Sequence, residues 1–213
     1  TFYWNLPSQV ERMSIERGLN WEVSHFTVPS ARLRDHWNNP DLKSILESET
    51  FDHVIIQEHS TNILTGEDGN PEFYFGQITS LIPDSTSIHF FSTWMYPSME
   101  DLNINNEEYP IEESIKQIID GTTTQIIPVG RAFKLFNDKH PQFKLLMEDD
   151  KHPNPNGSYL ASCIIFSHIS AESSFNLSKR YKGKDIKGVD IYYSIVEDEV
   201  LTLLQQISDE VIF

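Results

Sequence analysis

The chain has 213 residues, is 38% hydrophobic and carries a net charge of −16. That length fits one domain, or a domain with a small appendage, and is enough to bury a core, while the acidity argues against nucleic acids and anionic membranes as partners. Cys163 is the only cysteine, which excludes an internal disulfide and a cysteine-based zinc site. No apolar run reaches the roughly 18 residues that a membrane span needs.

In chain order, short apolar runs typical of strands alternate with segments whose apolar residues have helical spacing. The predicted strands are Trp21–Val28, His53–Gln57, Ser87–Trp94 and Thr124–Val129. Helices are predicted around residues 6–13, 111–119, after 154, and from 196 to 211. Continuous apolar runs favour strands that are buried on both faces. We therefore expect a three-layer α/β/α sandwich with a mostly parallel central sheet, which binds ligands at the carboxyl ends of its strands.

Two segments and the start of the chain complete this pattern. Ser98–Glu113 carries six acids and no base, which is typical of a solvated surface loop. Phe175–Val189 is rich in Lys, Gly and Ser and is predicted to be a mobile excursion. The pattern opens on a helix, so we expect a first strand before Thr1, on which stability and activity depend. A start without Met is compatible with an exported protein whose N-terminus has been removed, and the compartment is otherwise open.

The sharpest chemical feature is the run Asp149-Asp150-Lys151-His152-Pro153-Asn154. An Asp three residues before a His can accept a hydrogen bond from the imidazole Nδ1–H, which leaves Nε2 free to take a proton from a nucleophile. A surface turn leading into a helix explains the same run. A metal site of Asp149, Asp150 and His152 is a third interpretation, although it lacks the spaced ligands that are usual for zinc.

Asp149-x-x-His152-Pro153, followed by Gly157-x-Tyr159-Leu160, resembles the last conserved block of the SGNH (GDSL-like) hydrolases. Other parts of the chain resemble one subgroup of that family in the same order. These parts are Thr1-Phe2-Tyr3 with Leu6-Pro7, Leu33-x-x-His36-Trp37, Phe51-Asp52-x-Val54-Ile55-Ile56-Gln57-Glu58-x-Ser60, Thr93-Trp94 and Pro128-Val129-Gly130.

The resemblance implies a Ser-His-Asp esterase without a cofactor. His152 would be the general base and Asp149 would orient it, while the serine would lie two residues before Thr1. Gln57 would supply an oxyanion-hole amide and Ser30 a backbone N–H, although the subgroup usually has glycine near position 30. The substrate would be a small-molecule or carbohydrate ester, for example an O-acetyl ester.

His59 follows a predicted strand and Trp94 ends another, and both are expected to lie at the cleft. Structural roles are predicted for His25, His36 and His89.

Two other functions fit parts of the sequence. A binding module on the same scaffold would hold a glycan without cleaving it, and its stacking platforms would be Tyr3, Trp4, Trp37, Trp94 and Tyr96. An N-terminal nucleophile hydrolase would use Thr1 with its own amine as the base. Such enzymes are built on stacked antiparallel sheets, whereas this sequence predicts βαβ units.

Overall fold

The computed structural model describes residues 5–67, 69–103, 105–184 and 186–213, so predictions for Thr1, Tyr3 and Trp4 lie outside the described residues. The chain divides into two compact units. Unit 1 contains residues 1–25 and 131–213, and unit 2 contains residues 26–130. The helices are α1 Leu6–Glu16, α2 Leu33–Trp37, α3 Pro40–Ser48, α4 Ser60–Thr65, α5 Pro71–Thr79, α6 Pro110–Ile118, α7 Val129–Lys139, α8 Pro155–Ser170 and α9 Asp198–Ile212. The strands are β1 His53–Ile56, β2 Ser87–Phe91, β3 Gln125–Ile127, β4 Arg180–Lys184 and β5 Asp190–Ile195.

Unit 2 contains a parallel sheet in the order β1-β2-β3. Ile55 pairs with His89 in β2, and Phe91 pairs with Ile127 in β3. Three of the four predicted strands are therefore confirmed, each shorter at its carboxyl end than predicted. A parallel pair needs a crossover connection, and α4 with α5 provides it between β1 and β2, while α6 follows β2.

The predicted strand Trp21–Val28 is wrong, because this segment forms no ladder. Two of its backbone N–H groups donate instead to side chains of α1. Trp21 N–H donates to Ser14 Oγ at 3.0 Å, and Val23 N–H donates to Glu11 Oε1 at 3.4 Å. A strand exists only where a neighbouring strand accepts its hydrogen bonds, and an apolar run does not specify that neighbour. His25 accordingly lies outside any strand.

The predicted burial of the strands on both faces of the sheet is observed for β2 but not for β1. Phe90 and Phe91 of β2 are both buried, although their side chains point to opposite faces. In β1 the pattern differs, because Ile56 is buried and Ile55 is 40% exposed. A continuous apolar run shows which faces can be buried, whereas actual burial also depends on the layer that covers each face.

Unit 1 is built around α8, which packs against α1 and α9. Cys163, Ile164 and Phe166 of α8 are completely buried. The predicted helices at both ends of the chain are confirmed as α1 and α9, although Val196 precedes α9.

Two predicted loops contain regular structure. Phe175–Val189, predicted as a mobile excursion, contains β4, which pairs antiparallel with β5. Its Lys and Gly residues suggested a loop, but alternate side chains of a two-stranded ribbon face solvent, so a strand there accommodates lysines. Ser98–Glu113 contains most of a 3-10 helix, Pro97–Leu102, and the first turn of α6. In the described part of the chain, no helix is long and apolar enough to cross a membrane.

Candidate active site

The motif Asp149–His152 lies at the tip of a loop closed by backbone hydrogen bonds. Met147 N–H donates to the His152 carbonyl at 2.8 Å, and Asn154 N–H donates to the Leu145 carbonyl at 2.9 Å. At the tip, Asp150 has a φ of 51°, a left-handed conformation that Asp and Asn adopt more easily than most residues. The closed loop therefore brings Asp149 and His152 to the same side of a tight turn.

Asp149 and His152 form a close hydrogen-bonded pair. His152 Nδ1 lies 2.6 Å from Asp149 Oδ2. The other carboxylate oxygen accepts from the backbone N–H groups of Lys151 and His152, each at 3.0 Å. These contacts, first the one with the His152 side chain and then those with the two backbone N–H groups, lower the pKa of Asp149 to about 2. The carboxylate is therefore ionised at neutral pH and acts as acceptor for Nδ1–H, which leaves Nε2 as the basic nitrogen.

The pair is accessible from solvent. The side chain of His152 is 35% exposed and that of Asp149 is 47% exposed. Beside them lies an open, mainly apolar depression lined by Met147, Glu148, Asp149, Asn154 and Pro155. A solvent-accessible imidazole whose Nδ1 is held by a carboxylate can take a proton from an incoming hydroxyl group through its other nitrogen. The geometry therefore permits general-base chemistry, while the catalytic role of the pair stays a prediction.

The loop is anchored to the start of α8. Asn154, the N-cap residue of α8, accepts from Gly157 N–H through Oδ1 at 3.0 Å. Its side-chain amide donates back to the Lys144 and Leu146 carbonyls at 2.9 and 3.2 Å. One Asn thus joins the start of α8 to residues 144–146, the segment that leads into the loop. Ser158, in the first turn of α8, is buried at 1% exposure.

Position 157 requires glycine because the backbone at Leu145, just before the loop, approaches it closely. A Cβ at position 157 would lie closer than 3.0 Å to the Leu145 carbonyl oxygen and 3.1 Å from the Phe133 ring. We expect Gly157→Ala to lower the free energy of unfolding by about 1–3 kcal/mol, as overpacking does. Chemical denaturation, monitored by circular dichroism, measures this change in the free energy of unfolding.

The control is Gly76→Ala in α5, where a Cβ meets nothing within 4 Å. This change is expected to be neutral or to stabilise by up to about 1 kcal/mol, because Ala favours a helix over Gly. Equal effects of the two substitutions would contradict the close approach at Gly157.

The other predicted site residues belong to unit 2. Gln57 directly follows β1, is half-buried, and has no hydrogen bond to its amide within the described ranges. His59 is the N-cap residue of α4, and its Nδ1 lies 3.0 Å from Thr61 Oγ1. Trp94 follows β2 and is only 6% exposed. Since β1 and β2 are parallel, these residues lie at the same edge of the sheet, but the roles of His59 and Trp94 at a cleft stay predictions.

Ser30 has the strained backbone that the glycine of the subgroup would adopt easily. Its φ is 59°, in the left-handed region where a non-glycine residue is disfavoured. The preceding turn is closed by a hydrogen bond from Ala31 N–H to the Val28 carbonyl at 3.2 Å. The side chain is exposed. This conformation fits a residue whose backbone N–H has a function, and the role of that N–H stays a prediction.

Glu58 is the residue that sequence reasoning missed. It follows Gln57 and is 1% exposed, yet its carboxylate accepts from Leu33 N–H at 3.2 Å and from His59 N–H at 2.6 Å. Burial raises its pKa, although the hydrogen bonds oppose that shift. A Glu next to the end of a buried strand was the available signal.

The single cysteine and two of the other histidines lie in environments typical of structural residues. Burial raises the pKa of the Cys163 thiol to about 12, which argues against a thiolate nucleophile. His36 packs edge-on against Phe26, and burial lowers its pKa despite the neighbouring Asp35. His89 lies in β2, and its Nε2 is 3.0 Å from Nδ1 of His53 in β1.

The alternative functions gain little support from the described residues. Trp94 and Tyr96 are each only 6% exposed, which removes two of the five proposed stacking platforms. No three His, Cys, Asp or Glu side chains in the described ranges form a group that could hold a metal ion. The three-stranded sheet of β1, β2 and β3 is parallel, whereas an N-terminal nucleophile hydrolase has stacked antiparallel sheets.

The structure thus brings together Asp149 with His152, and Glu58 with the segments of Gln57 and Ser30. The first group belongs to unit 1 and the second to unit 2. Their convergence on a single cleft stays a prediction.

Comparison with known proteins gives a fold. No family model matches the chain, and no curated protein sequence does. Two solved structures are similar to it. One is described as a putative SGNH hydrolase from Slackia heliotrinireducens, with a TM-score of 0.65 and 20% identity over 78% of this chain and 92% of that chain. The other is a DUF4886 family protein from Bacteroides uniformis, with a TM-score of 0.72 and 15% identity over 95% of this chain and 87% of that chain.

Similarity at this level of identity establishes the fold alone. The chain has an SGNH-hydrolase-like α/β fold, as the resemblance in its motifs implied. The fold does not by itself determine a reaction.

Proposed function

We propose that this chain belongs to a serine ester hydrolase in which His152 and Asp149 are two members of a Ser-His-Asp triad. The observation that carries the proposal is the contact of 2.6 Å between His152 Nδ1 and Asp149 Oδ2 in a closed loop before α8. The SGNH-like fold supports it, because the motif that resembles the last SGNH block forms this loop. The finer architecture that we propose is a three-layer α/β/α sandwich.

In the proposed reaction, His152 Nε2 takes the proton of a serine hydroxyl while its oxygen attacks the ester carbonyl. The ionised Asp149 fixes the tautomer and stabilises the imidazolium that forms. The imidazolium then protonates the leaving alcohol, and water repeats the cycle on the acyl-enzyme to release the acid. The family pattern places the serine two residues ahead of Thr1, so we propose that the upstream part of the protein supplies it.

The negative oxygen of the tetrahedral intermediate needs donors that are already in place. Gln57 is proposed as one donor, through an amide that is not occupied by another hydrogen bond in the described ranges. The backbone N–H of Ser30 is proposed as the second. The proposed substrate is a carboxylic ester of a small molecule or carbohydrate, such as an O-acetyl group.

A fluorophosphonate reagent tests this proposal, because it phosphonylates a serine only when a base activates it. The protein expressed from its complete reading frame is treated with the reagent, and peptide mass spectrometry locates the adduct. We expect a single modified serine upstream of Thr1. We also expect that His152→Ala abolishes the modification.

His140→Ala is the matched control, since His140 lies in the same unit and its ring contacts that of Phe136 in a tilted arrangement. It should leave the modification unchanged. An unmodified wild-type protein, or an adduct that persists in His152→Ala, would rule out the proposed triad.

A further inference from the structure

The carboxylate of Glu58 connects the two segments that carry the proposed oxyanion-hole donors. Oε2 accepts from Leu33 N–H at 3.2 Å, and Oε1 accepts from His59 N–H at 2.6 Å. Leu33 is the first residue of α2 and lies three residues after Ser30, while Glu58 itself follows Gln57. All these residues belong to unit 2.

A carboxylate in this position is costly to bury. Glu58 is 1% exposed, and desolvation raises its pKa. The opposing contributions come from the N–H groups of His59 and Leu33, from the Asn62 side chain, and from the positive charge of Arg32. Buried charges persist where such donors compensate their lost hydration. The surrounding donors therefore hold the carboxylate in one place.

On the Ser30 side, the carboxylate fixes the end of a short strained segment. Ser30 has a φ of 59°, and its turn is closed at Ala31. Two further anchors follow: Arg32 N–H donates to Asp35 Oδ2 at 2.9 Å within the turn itself, and Leu33 N–H, which has no acceptor inside the helix, donates to Glu58. Of the two, only the contact with Glu58 ties the segment from Ser30 to α2 to the chain that follows β1.

On the Gln57 side, the carboxylate fixes the chain immediately after the amide. A side chain that accepts from the N–H of the following residue holds the intervening backbone torsions. Glu58 does this with His59 N–H, at the point where the chain leaves β1 and enters α4. The direction in which the chain leaves Gln57 is therefore tied to the same carboxylate that anchors Leu33.

We propose that Glu58 is a positioning residue that holds the Ser30 backbone N–H and the Gln57 amide in a fixed relation, so that both can bind one oxyanion. This inference rests on the proposed ester hydrolase function. Glu58 acts through the two donors and does not contact the reacting atoms.

The test is Glu58→Gln, assayed for ester turnover in the protein expressed from its complete reading frame. Gln keeps the volume of Glu and one acceptor oxygen, but its NH₂ group then faces one of the two backbone N–H donors. We expect kcat to fall by about tenfold or more with KM nearly unchanged, since the donors act on the transition state. The assay is run well below the melting temperature of each variant, so that a loss of stability alone does not lower kcat.

Glu112→Gln is the matched control, because Glu112 is a carboxylate of unit 2 with only 3% exposure, located on α6. It should leave kcat within about twofold of wild type. A double-mutant cycle adds a second readout. In the Gln57→Ala background, Glu58→Gln should cost clearly less than in the wild type, because residues that act through one another are not additive.

The outcomes separate the two proposals. A wild-type protein that neither turns over esters nor reacts with the fluorophosphonate contradicts the hydrolase function itself. An active wild type combined with an unchanged kcat in folded Glu58→Gln, or with fully additive effects in the cycle, overturns the role of Glu58 alone. If Glu58→Gln does not fold, Asn62→Ala decides, because it removes one donor to the carboxylate: a lowered kcat supports the proposal and an unchanged kcat overturns it.

Discussion

Asp149→Asn is expected to lower kcat for ester hydrolysis by about 10⁴-fold while the protein stays folded. An Asn side-chain oxygen at position 149 can still accept from the N–H groups of Lys151 and His152, so the turn is retained. The side-chain NH₂ group would then face His152 Nδ1 and favour the tautomer with hydrogen on Nε2, which cannot act as the base. Steady-state kinetics, with circular dichroism to confirm folding, measure both parts of this expectation.

Asp150→Asn is the matched control, since Asn tolerates the left-handed conformation of position 150 as well as Asp does. It should change kcat by less than about threefold. A similar loss of turnover in both variants, or none in Asp149→Asn, would mean that the contact between Asp149 and His152 is structural.

The contact between Asp149 and His152 also makes the stability of the folded chain depend on pH in a predictable direction. The pKa of Asp149 is lowered from 3.8 to about 2 in the folded chain. A lowered carboxylate pKa contributes stability that is fully present above the ordinary value and is lost as the pH falls toward the folded value. Stability should therefore fall more steeply between about pH 4 and pH 2 in the wild type than in Asp149→Asn, with parallel curves at higher pH.

Gln57→Ala is expected to reduce kcat by about 10²–10³-fold with little change in KM, as loss of one oxyanion-hole donor does. The amide has no hydrogen-bond partner within the described ranges, so its removal leaves no other group unsatisfied. Stability should accordingly change little, which separates a role in the transition state from a role in folding.

Gln125→Ala serves as the control, because Gln125 is an exposed residue at the start of β3 in the same sheet. It should keep the wild-type kcat. If Gln57→Ala instead raises KM without affecting kcat, Gln57 binds substrate in its ground state and is not an oxyanion donor.

Local sequence was sufficient for the features that depend on neighbours in the chain. The turn from Asp149 to His152 and the cap at Asn154 are set within a few residues, and the spacing of the motif predicts the contact between Asp149 and His152. The three strands with continuous apolar runs were also predictable, since parallel strands buried in an α/β fold have that composition.

Features that depend on distant partners were not predictable. Trp21–Val28 has the composition of a strand, but its N–H groups donate to α1 side chains. The lysines of β4 give this segment the composition of a loop, so the hairpin of β4 and β5 was not recognised in the sequence. Glu58 follows a buried strand, but its partner Leu33 lies 25 residues earlier in the chain, so the neighbouring residues do not reveal their contact. In each of these three cases the deciding partner lies on another element, at separations from 6 residues, for Lys184 with Asp190, to 25 residues, for Glu58 with Leu33.

The cap at the start of α8 also has a consequence for how the protein ages. Asn156-Gly157 is the dipeptide most prone to deamidation, in which the backbone nitrogen of Gly attacks the Asn side-chain carbonyl and forms a succinimide. Here that nitrogen donates its hydrogen to Asn154 Oδ1 at 3.0 Å, and Gly157 is buried within the first turn of the helix. We therefore expect the hydrogen bond that anchors the Asp149–His152 loop also to slow deamidation of Asn156 for as long as the helix stays folded.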